Sequence, residues 1–357
     1  MAASSNNTTQ DNVMGPRTFV LGTAILVASL IGTMANAQDA VYKYRDGGRT
    51  SKVSGRITDV SPNGVTIDGT EIAAVEIKKI VYGKEPLEVD RARSQMESGR
   101  YADAIEELGK IQGTVPKAIQ QEIDFINAYS NSQISLRGGN VTPKVAASEV
   151  KTFITTHSSS LHLFPAIDQF AKLAFAAGLP EVAEAEFAKL KDSTWPEFKL
   201  KGHFYAGQMQ IELGKLDDAK ASFEAIQAIE SNDDMTQTYK LLSTCELARL
   251  VGLQGDTATA KKALEKIIKD ENPDNKKLFA HLYNALGSVY EKADRKKEAA
   301  RAYLHTELLY ATEVEAHAEA LFRLAKIWPQ LEETDKANRA RETIKTRYRN
   351  SYWATKL

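Results

Sequence analysis

One thirteen-residue pattern occurs four times and restricts the possible fold more than any other feature of the sequence. It has Gly at the first position, Ala five residues later, Leu or Phe nine later, and Ile or Leu twelve later. The four copies begin at Gly99, Gly178, Gly214 and Gly255. Another stretch with helical apolar periodicity precedes each copy. Each unit is therefore predicted to be a helix, a tight turn at glycine and a second helix.

A small residue stands seven positions before each turn glycine, and two later units continue the register. These small residues are Ala92, Ala171, Gly207, Ala248, Gly287 and Ala325. We expect them to face the alanines of the second helices, so that two antiparallel helices approach closely; these are Ala104, Ala183, Ala219, Ala260, Ala299 and Ala337. The large residue four positions after each alanine is expected to fill the gap to the neighbouring unit. Because one helix pair cannot bury its own apolar face, the pairs must stack.

The pattern resembles the tetratricopeptide repeat (TPR). The family's order of aromatic, Leu, Gly, aromatic, Ala and aromatic is matched by Tyr283, Leu286, Gly287, Tyr290, Ala299 and Tyr303. The first unit also matches, with Gly99, Tyr101, Ala104 and a closing Pro116. The C-terminal "TRYRNSYWATKL" is similar to the end of exported bacterial members, although Arg349 replaces their proline. The resemblance implies a mainly α fold, a right-handed α-solenoid of about seven TPR-like helix pairs over residues 86–357.

Residues 38–85 have a different period, because apolar residues alternate as in β-strands. Turn signals at 46–48, 61–64 and 68–69 separate the alternating runs. Asn-Gly and Asp-Gly are strong hairpin signals, since both residues tolerate positive φ. We predict four or five strands in a small β-rich SH3-like module. A module of this size buries little surface alone, so we expect it to dock on the helices that follow.

Residues 1–37 are predicted to be a secretory signal peptide. Arg17 precedes the apolar run 19–34, and Ala35 and Ala37 provide a cleavage site after Ala37. The alternative is an uncleaved inner-membrane anchor over residues 18–34, although the run is short for a spanning helix. Translation starting at Met14 is a further alternative. The sequence thus predicts an exported protein of the periplasm or cell envelope, where a single cysteine, Cys245, suits an oxidising compartment.

The sequence contains no pattern that indicates catalysis. With one cysteine, neither an intrachain disulfide nor a cysteine metal cluster is possible. The six histidines form no His-Glu-x-x-His motif, and "RGGN" at 137–140 lacks the Lys-Ser/Thr of a phosphate-binding loop. A formal net charge of -1 gives no reason to expect a nucleic-acid partner. We therefore expect no enzyme activity, cofactor or metal.

The family resemblance implies that the concave groove formed by the first helices is the binding surface. It implies that the residue after each small residue faces this groove: Arg93, Lys172, Gln208, Arg249, Ser288 and Lys326. One turn earlier, Phe204, Asn284 and Phe322 are expected to contribute apolar and amide surface. Such a groove suits a partner protein or an extended peptide that is acidic or ends in a carboxylate. The alternative is that these charged side chains only solvate an exposed helix face.

The sequence is compatible with two functions. The first is a non-catalytic protein–protein interaction scaffold that acts outside the cytoplasm through the concave groove. The second is a binding or regulatory subunit of a cell-envelope enzyme or cell-wall polymer complex that acts through the β module. The C-terminal segment 336–357, with seven basic residues against Glu342 alone, is predicted to be a polar cap of the solenoid. A docking patch for an anionic lipid, polymer or protein is the alternative for that segment.

Overall fold

The structure, a computed structural model, describes residues 38–45 and 49–357. The predicted signal segment and the predicted turn at 46–48 lie outside the described residues. The strands are β1 Asp39–Tyr44, β2 Thr50–Gly55, β3 Ile57–Ser61, β4 Gly64–Ile67, β5 Thr70–Ala73 and β6 Ile77–Val81. Within the described residues, no helix has the length and apolar character needed to cross a membrane.

The helices follow the strands without interruption by further strands in the described part of the chain. The first helices of the successive pairs are α1 Leu87–Glu97, α3 Lys117–Leu136, α5 Leu163–Ala176, α7 Pro196–Glu212, α9 Asp234–Leu253, α11 Lys276–Lys292 and α13 Val314–Ile327. The second helices are α2 Tyr101–Leu108, α4 Pro143–Thr156, α6 Pro180–Leu190, α8 Leu216–Gln227, α10 Thr257–Asp270, α12 Lys296–Leu309 and α14 Thr334–Arg347. A short α15, Tyr352–Thr355, ends the chain. The expectation of a mainly α protein with about seven helix pairs is confirmed.

The β module consists of two three-stranded antiparallel sheets, with strand orders β2-β1-β6 and β3-β4-β5. Only Arg56 separates β2 from β3, so the chain passes from one sheet to the other through a bend. The β4–β5 hairpin turns at Asp68 and Gly69, both with positive φ, as their sequence favours. The described strands number six, one more than the upper expectation, because a 3-10 turn at Ala74–Glu76 divides the last apolar run into β5 and β6.

The turns within the helix pairs place one residue in the left-handed region. Gly99, Gly178, Gly214 and Gly255 have φ between 73° and 115°, where a side chain would be strained. Pairs six and seven use Asp294 and Glu332 at the same place, with φ of 55° and 62°. The left-handed turn is therefore kept in these two pairs although the glycine of the sequence pattern is absent.

The contact register within a pair differs from our expectation by one helical turn. A Cβ added to Gly207 would lie 2.7 Å from the ring of Phe223, and one added to Gly287 would lie 2.6 Å from the ring of Tyr303. The small residue therefore accommodates the large residue of its own pair, rather than facing the alanine. The alanine faces a position nearer the turn, as Ala260 does opposite Gly252. In an antiparallel hairpin, residues at similar distances from the turn lie opposite each other, which accounts for the correction.

The β module docks on the first helices through a shared apolar core. Val41 and Ile80 of the sheet lie in one buried cluster with Val89, Ala92 and Ile119 of the first two pairs. The tip of the β3–β4 hairpin also reaches the loop before α7, where the indole N–H of Trp195 donates to the Pro62 carbonyl at 2.7 Å. The module is thus an integral part of the N-terminal end.

The C-terminal segment returns to the second and third helix pairs. Tyr352 of α15 stacks on Phe175 of α5, with ring centroids 4.2 Å apart. The Arg349 side chain donates to the Gly138 carbonyl at 3.0 Å, and the Asn350 amide is bonded to carbonyls of the same α3–α4 region. The last pair is therefore joined to earlier pairs, and the superhelix closes on itself. This segment does more than cap the solenoid with a polar face.

Candidate functional site in the concave surface

A pocket of about 210 Å³ lies inside the curve of the superhelix. Five successive first helices, α5, α7, α9, α11 and α13, contribute to its lining, so it opens on the concave side. Trp353 of α15 supplies a further wall. Its apolar lining includes Phe175, Phe187, Tyr205, Met209 and Val314. The closure of the superhelix has therefore turned part of an open groove into a pocket.

Three of the predicted groove residues, Lys172, Gln208 and Arg249, line this pocket. The other three residues of that register position lie elsewhere. Arg93 lies beside the β module, where it pairs with Glu85. Ser288 accepts a hydrogen bond from Arg249 Nε at 3.0 Å and is itself buried. Lys326 is exposed, with its ammonium 4.4 Å from the centre of the Phe322 ring.

The residues predicted one turn earlier are buried and do not reach the groove surface. Phe204 is fully buried against Tyr239 and the His281 ring. Asn284 donates to the Ala316 carbonyl at 2.8 Å, and Phe322 packs on Trp353. The physical reason is that neighbouring first helices pack directly together, so this position fills the contact between them. The surface available to a ligand begins with the residue that follows the small residue.

On the deep side of the pocket, a buried arginine is neutralised by neighbouring carboxylates. Arg249 lies between two carboxylates, 3.5 Å from Glu246 and 3.3 Å from Glu319. Burial opposes the charge of Arg249, but these carboxylates raise its pKa further above the ordinary range. Gln208 donates to Glu246 at 3.2 Å, which fixes the amide beside the cluster. Arg249 is thus a structural cation whose charge is already matched.

The charges near the opening are less completely matched. Lys172 pairs with the buried Asp168 at 2.6 Å, but no carboxylate of the described residues lies within 4.0 Å of the Lys277 ammonium. Burial, together with Lys172 and Lys201, lowers the pKa of Lys277. Glu315 also lines the pocket, is exposed, and has no cation of the described residues within 4.0 Å. Lys277 and Glu315 are therefore available to pair with an oppositely charged group of a ligand.

Several lining residues were not predicted from the sequence, for different reasons. Tyr205, Met209 and Glu212 lie on the same face of α7 as Gln208, so helical spacing alone provided the signal to find them. Lys277 and Glu315 lie at the beginnings of α11 and α13, away from the register position used for prediction. Trp353 joins the pocket only because the superhelix closes, and no local pattern indicates that.

Comparisons with known proteins concern the fold. Neither a protein-family model nor a curated protein matched the chain. Among solved structures, a tetratricopeptide repeat protein from Parabacteroides merdae is similar at 15% identity and a TM-score of 0.49, covering 73% of this chain and 92% of the other. A Rap protein complexed with Competence and Sporulation Factor is similar at 12% identity and a TM-score of 0.48, covering 75% and 76%. The fold is identified from the helix pairs of this chain and from the positions of the small and large residues within each pair.

The aromatic–glycine contacts of pairs four and six decide the repeat type. Gly207 with Phe223 and Gly287 with Tyr303 occupy the same two positions of the sequence pattern, sixteen residues apart. The helical region has the tetratricopeptide-repeat fold. In this TPR solenoid the pocket lies on the inner side, between successive pairs. Within the described residues, no group of three or more His, Cys, Asp or Glu side chains is arranged to hold a metal ion.

Proposed function

We propose that this protein is a non-catalytic scaffold that binds a segment of a partner protein or peptide in the concave TPR pocket. The observation that supports the proposal is the lining of the pocket by five first helices and Trp353, with aromatic side chains beside unmatched charges. Aromatic and aliphatic walls bury a side chain of the partner, while a few polar groups fix its orientation. This combination suits a peptide segment.

The proposed partner segment carries an acidic side chain or a free carboxylate. Lys277 is the group that would receive it, because its ammonium lies near Lys172 and Lys201 and has no carboxylate partner of its own among the described residues. An anionic group of the ligand would give Lys277 the carboxylate partner that Asp168 gives Lys172. Arg249 is less suitable, since Glu246 and Glu319 already neutralise it.

The proposed place of action is outside the cytoplasm, in the periplasm or cell envelope. Its support is the sequence of residues 1–37, with a basic residue, an apolar run and small residues at the cleavage position. N-terminal sequencing of the protein isolated from the producing cell tests this directly. We expect the mature chain to begin at Gln38, and recovery of Met1 or Met14 as the N-terminus in salt-washed membranes would contradict cleavage.

The pocket is tested with neighbouring lysines on one helix. Lys277 lines the pocket, whereas Lys276 is exposed and does not line it. Lys277→Ser and Lys276→Ser remove the same charge from the same turn of α11.

Partners are cross-linked in the producing cell to the tagged wild-type protein, identified, and then titrated in purified form. We expect Lys277→Ser to weaken binding on the order of tenfold, as for loss of a charge-assisted hydrogen bond, and Lys276→Ser to leave it unchanged. Equal losses would contradict the pocket assignment.

A further inference from the structure

We propose that the free edge of strand β6 is a second binding site, which accepts an extended, uncharged segment of a partner protein as an added β-strand. This site is separate from the concave pocket and lies where the β module meets the first helices. It assigns the β module a recognition role in addition to its structural one.

The position of a second pocket identifies the open edge. This pocket, of about 330 Å³, is lined by the four consecutive residues 77–80 of β6. The pairing with β1 passes from Lys79 to Ile77 across a bulge at Lys78, and a pocket that touches all four residues, on both sides of this bulge, runs along the strand's edge. Strand β1 occupies the other edge, where Val41 pairs with Ile80 and Tyr42 with Lys79. Among the described residues, no strand pairs with the edge that faces the pocket.

The wall opposite β6 is rich in aromatic side chains. Tyr101, Phe125 and Tyr129 from the first two helix pairs line it, together with Trp195 from the loop before α7. The site is therefore a slot with main-chain hydrogen-bonding groups on one side and apolar rings on the other. An extended peptide satisfies both sides, because its main chain pairs with the edge and alternate side chains reach the rings.

The buried and half-buried charges around the slot are matched by one another, which favours an uncharged occupant, while Lys78 and Glu97 line it as exposed side chains. Lys79 pairs with Asp90 at 2.6 Å. Arg93 pairs with Glu122 at 3.4 Å, and His162 also contacts Glu122, at 2.8 Å. A charged side chain entering the slot would compete with these pairs and would lose hydration. Main-chain hydrogen bonds and apolar contact are the interactions that remain available.

A single strand from a different protein fits this site better than a second copy of the chain. Pairing of two β6 edges would bring Lys78 and Lys79 of both copies together, which is unfavourable. The helical wall also limits the space beside the edge to a slot. Sedimentation of the protein alone is expected to give the monomer mass, and a dimer that the parent strand peptide dissociates would instead identify a second copy as the occupant.

The experiment uses a fluorescein-labelled, amidated peptide, Thr-Val-Thr-Phe-Thr-Val, and two N-methylated forms of it. One form carries methyl groups on the Val and Phe amides, and the other on the Thr amides. In an added strand the N–H groups point alternately toward and away from β6, so only one form blocks pairing.

We expect anisotropy titrations to show binding of the parent peptide, a loss of affinity of at least about tenfold for one methylated form, and little change for the other. Equal weakening by both forms, or no binding of the parent at millimolar concentration, would overturn the proposal.

Protein variants separate the two sites. Tyr101→Ser removes a ring from the slot, whereas the control Tyr44→Ser removes an exposed ring from β1. We expect only Tyr101→Ser to weaken peptide binding, by several-fold, and Lys277→Ser to have no effect. If Lys277→Ser weakens binding while Tyr101→Ser does not, the peptide occupies the concave pocket and the β6 assignment is wrong.

Discussion

The two ends of the superhelix are completed in different ways. At the N-terminal end, the β module and the first two helix pairs share a buried apolar core and a buried cluster of ionised groups around Arg93. At the C-terminal end, the segment after α14 is held by aromatic stacking and by hydrogen bonds to backbone carbonyls of the α3–α4 region. Both ends contain a buried apolar cluster, which at the C-terminal end joins Tyr352 and Trp353 to Phe175. The difference is that the first end also buries ion pairs, whereas the second is held by hydrogen bonds to backbone carbonyls.

This difference predicts different consequences of disruption. Loss of a group in the N-terminal cluster leaves buried charges unmatched and so affects the stability of the whole domain. Loss of a C-terminal contact releases a short segment while the helix pairs remain stacked, because each pair depends mainly on its neighbours. The pocket, however, loses its Trp353 wall in the second case. Stability should therefore depend more on the first end, and access to the pocket more on the second.

The largest expected effect is that of Arg93→Ala. Arg93 is 5% exposed and pairs with the buried carboxylates of Glu85 and Glu122, at 3.0 and 3.4 Å. Removing one partner of a buried charge pair costs about 3–5 kcal/mol, measured as the free energy of unfolding in urea. The control is Arg91→Ala, which breaks a 3.3 Å pair between Glu107 and a side chain that is 62% exposed. An exposed pair contributes about 0–1 kcal/mol, so similar losses for the two variants would contradict the comparison.

A smaller effect is expected from Asn350→Ala at the other end. The Asn350 amide nitrogen lies 2.9 Å from the Ser135 carbonyl and 3.0 Å from the Val141 carbonyl. Its loss is expected to cost about 1–2 kcal/mol and to release the last segment, so that trypsin cleaves faster after Arg349. Asn338→Ala, on the exposed face of α14, is the control. If trypsin cuts both variants at the wild-type rate, the C-terminal contact does not restrain this segment.

The smallest effect is a pH dependence of the packing between the last two helix pairs. His317 Nε2 lies 3.1 Å from the Glu307 carbonyl, and its Nδ1 lies 2.7 Å from the Tyr348 hydroxyl. The carbonyl only accepts, so Nε2 carries the proton and neutral Nδ1 accepts from the hydroxyl. Burial lowers the pKa of His317 from its ordinary value of 6.5. The neutral histidine is thus favoured by folding, and its stabilisation is complete above about pH 6.5 and is lost as the pH falls through the lowered pKa.

The measurement is urea unfolding of the wild-type protein and His317→Gln between pH 7.5 and 5. Wild-type stability should fall more steeply, by at most about 1.4 kcal/mol per pH unit from this one group. All other titrating groups are common to both proteins, so the difference between the two slopes isolates His317. Parallel curves would show that His317 does not contribute to the pH dependence.

The helix pairs could be predicted from the sequence because their packing pattern is local. Gly287 and Tyr303 are sixteen positions apart within one hairpin, and the same spacing recurs at Gly207 and Phe223. Closure of the superhelix could not be predicted, because it depends on small rotations that accumulate over all pairs. Arg93 shows the same limit, since its partners Glu85 and Glu122 lie outside its own repeat unit. Lys172, Gln208 and Arg249 share one register position and line one pocket, but their hydrogen-bond and ionic partners could not be predicted from that position.

Closure of the superhelix is the central claim, because it forms the pocket and places Trp353 in its wall. Double electron–electron resonance tests it with nitroxides on Asn140→Cys and Thr346→Cys, two exposed positions on opposite sides of the contact. The native Cys245 is buried and should remain unlabelled. The closed arrangement predicts one narrow distribution at short distance, which broadens and lengthens in Asn350→Ala. A broad, long distribution in the otherwise unaltered protein would show that the solenoid is open and would contradict the claim.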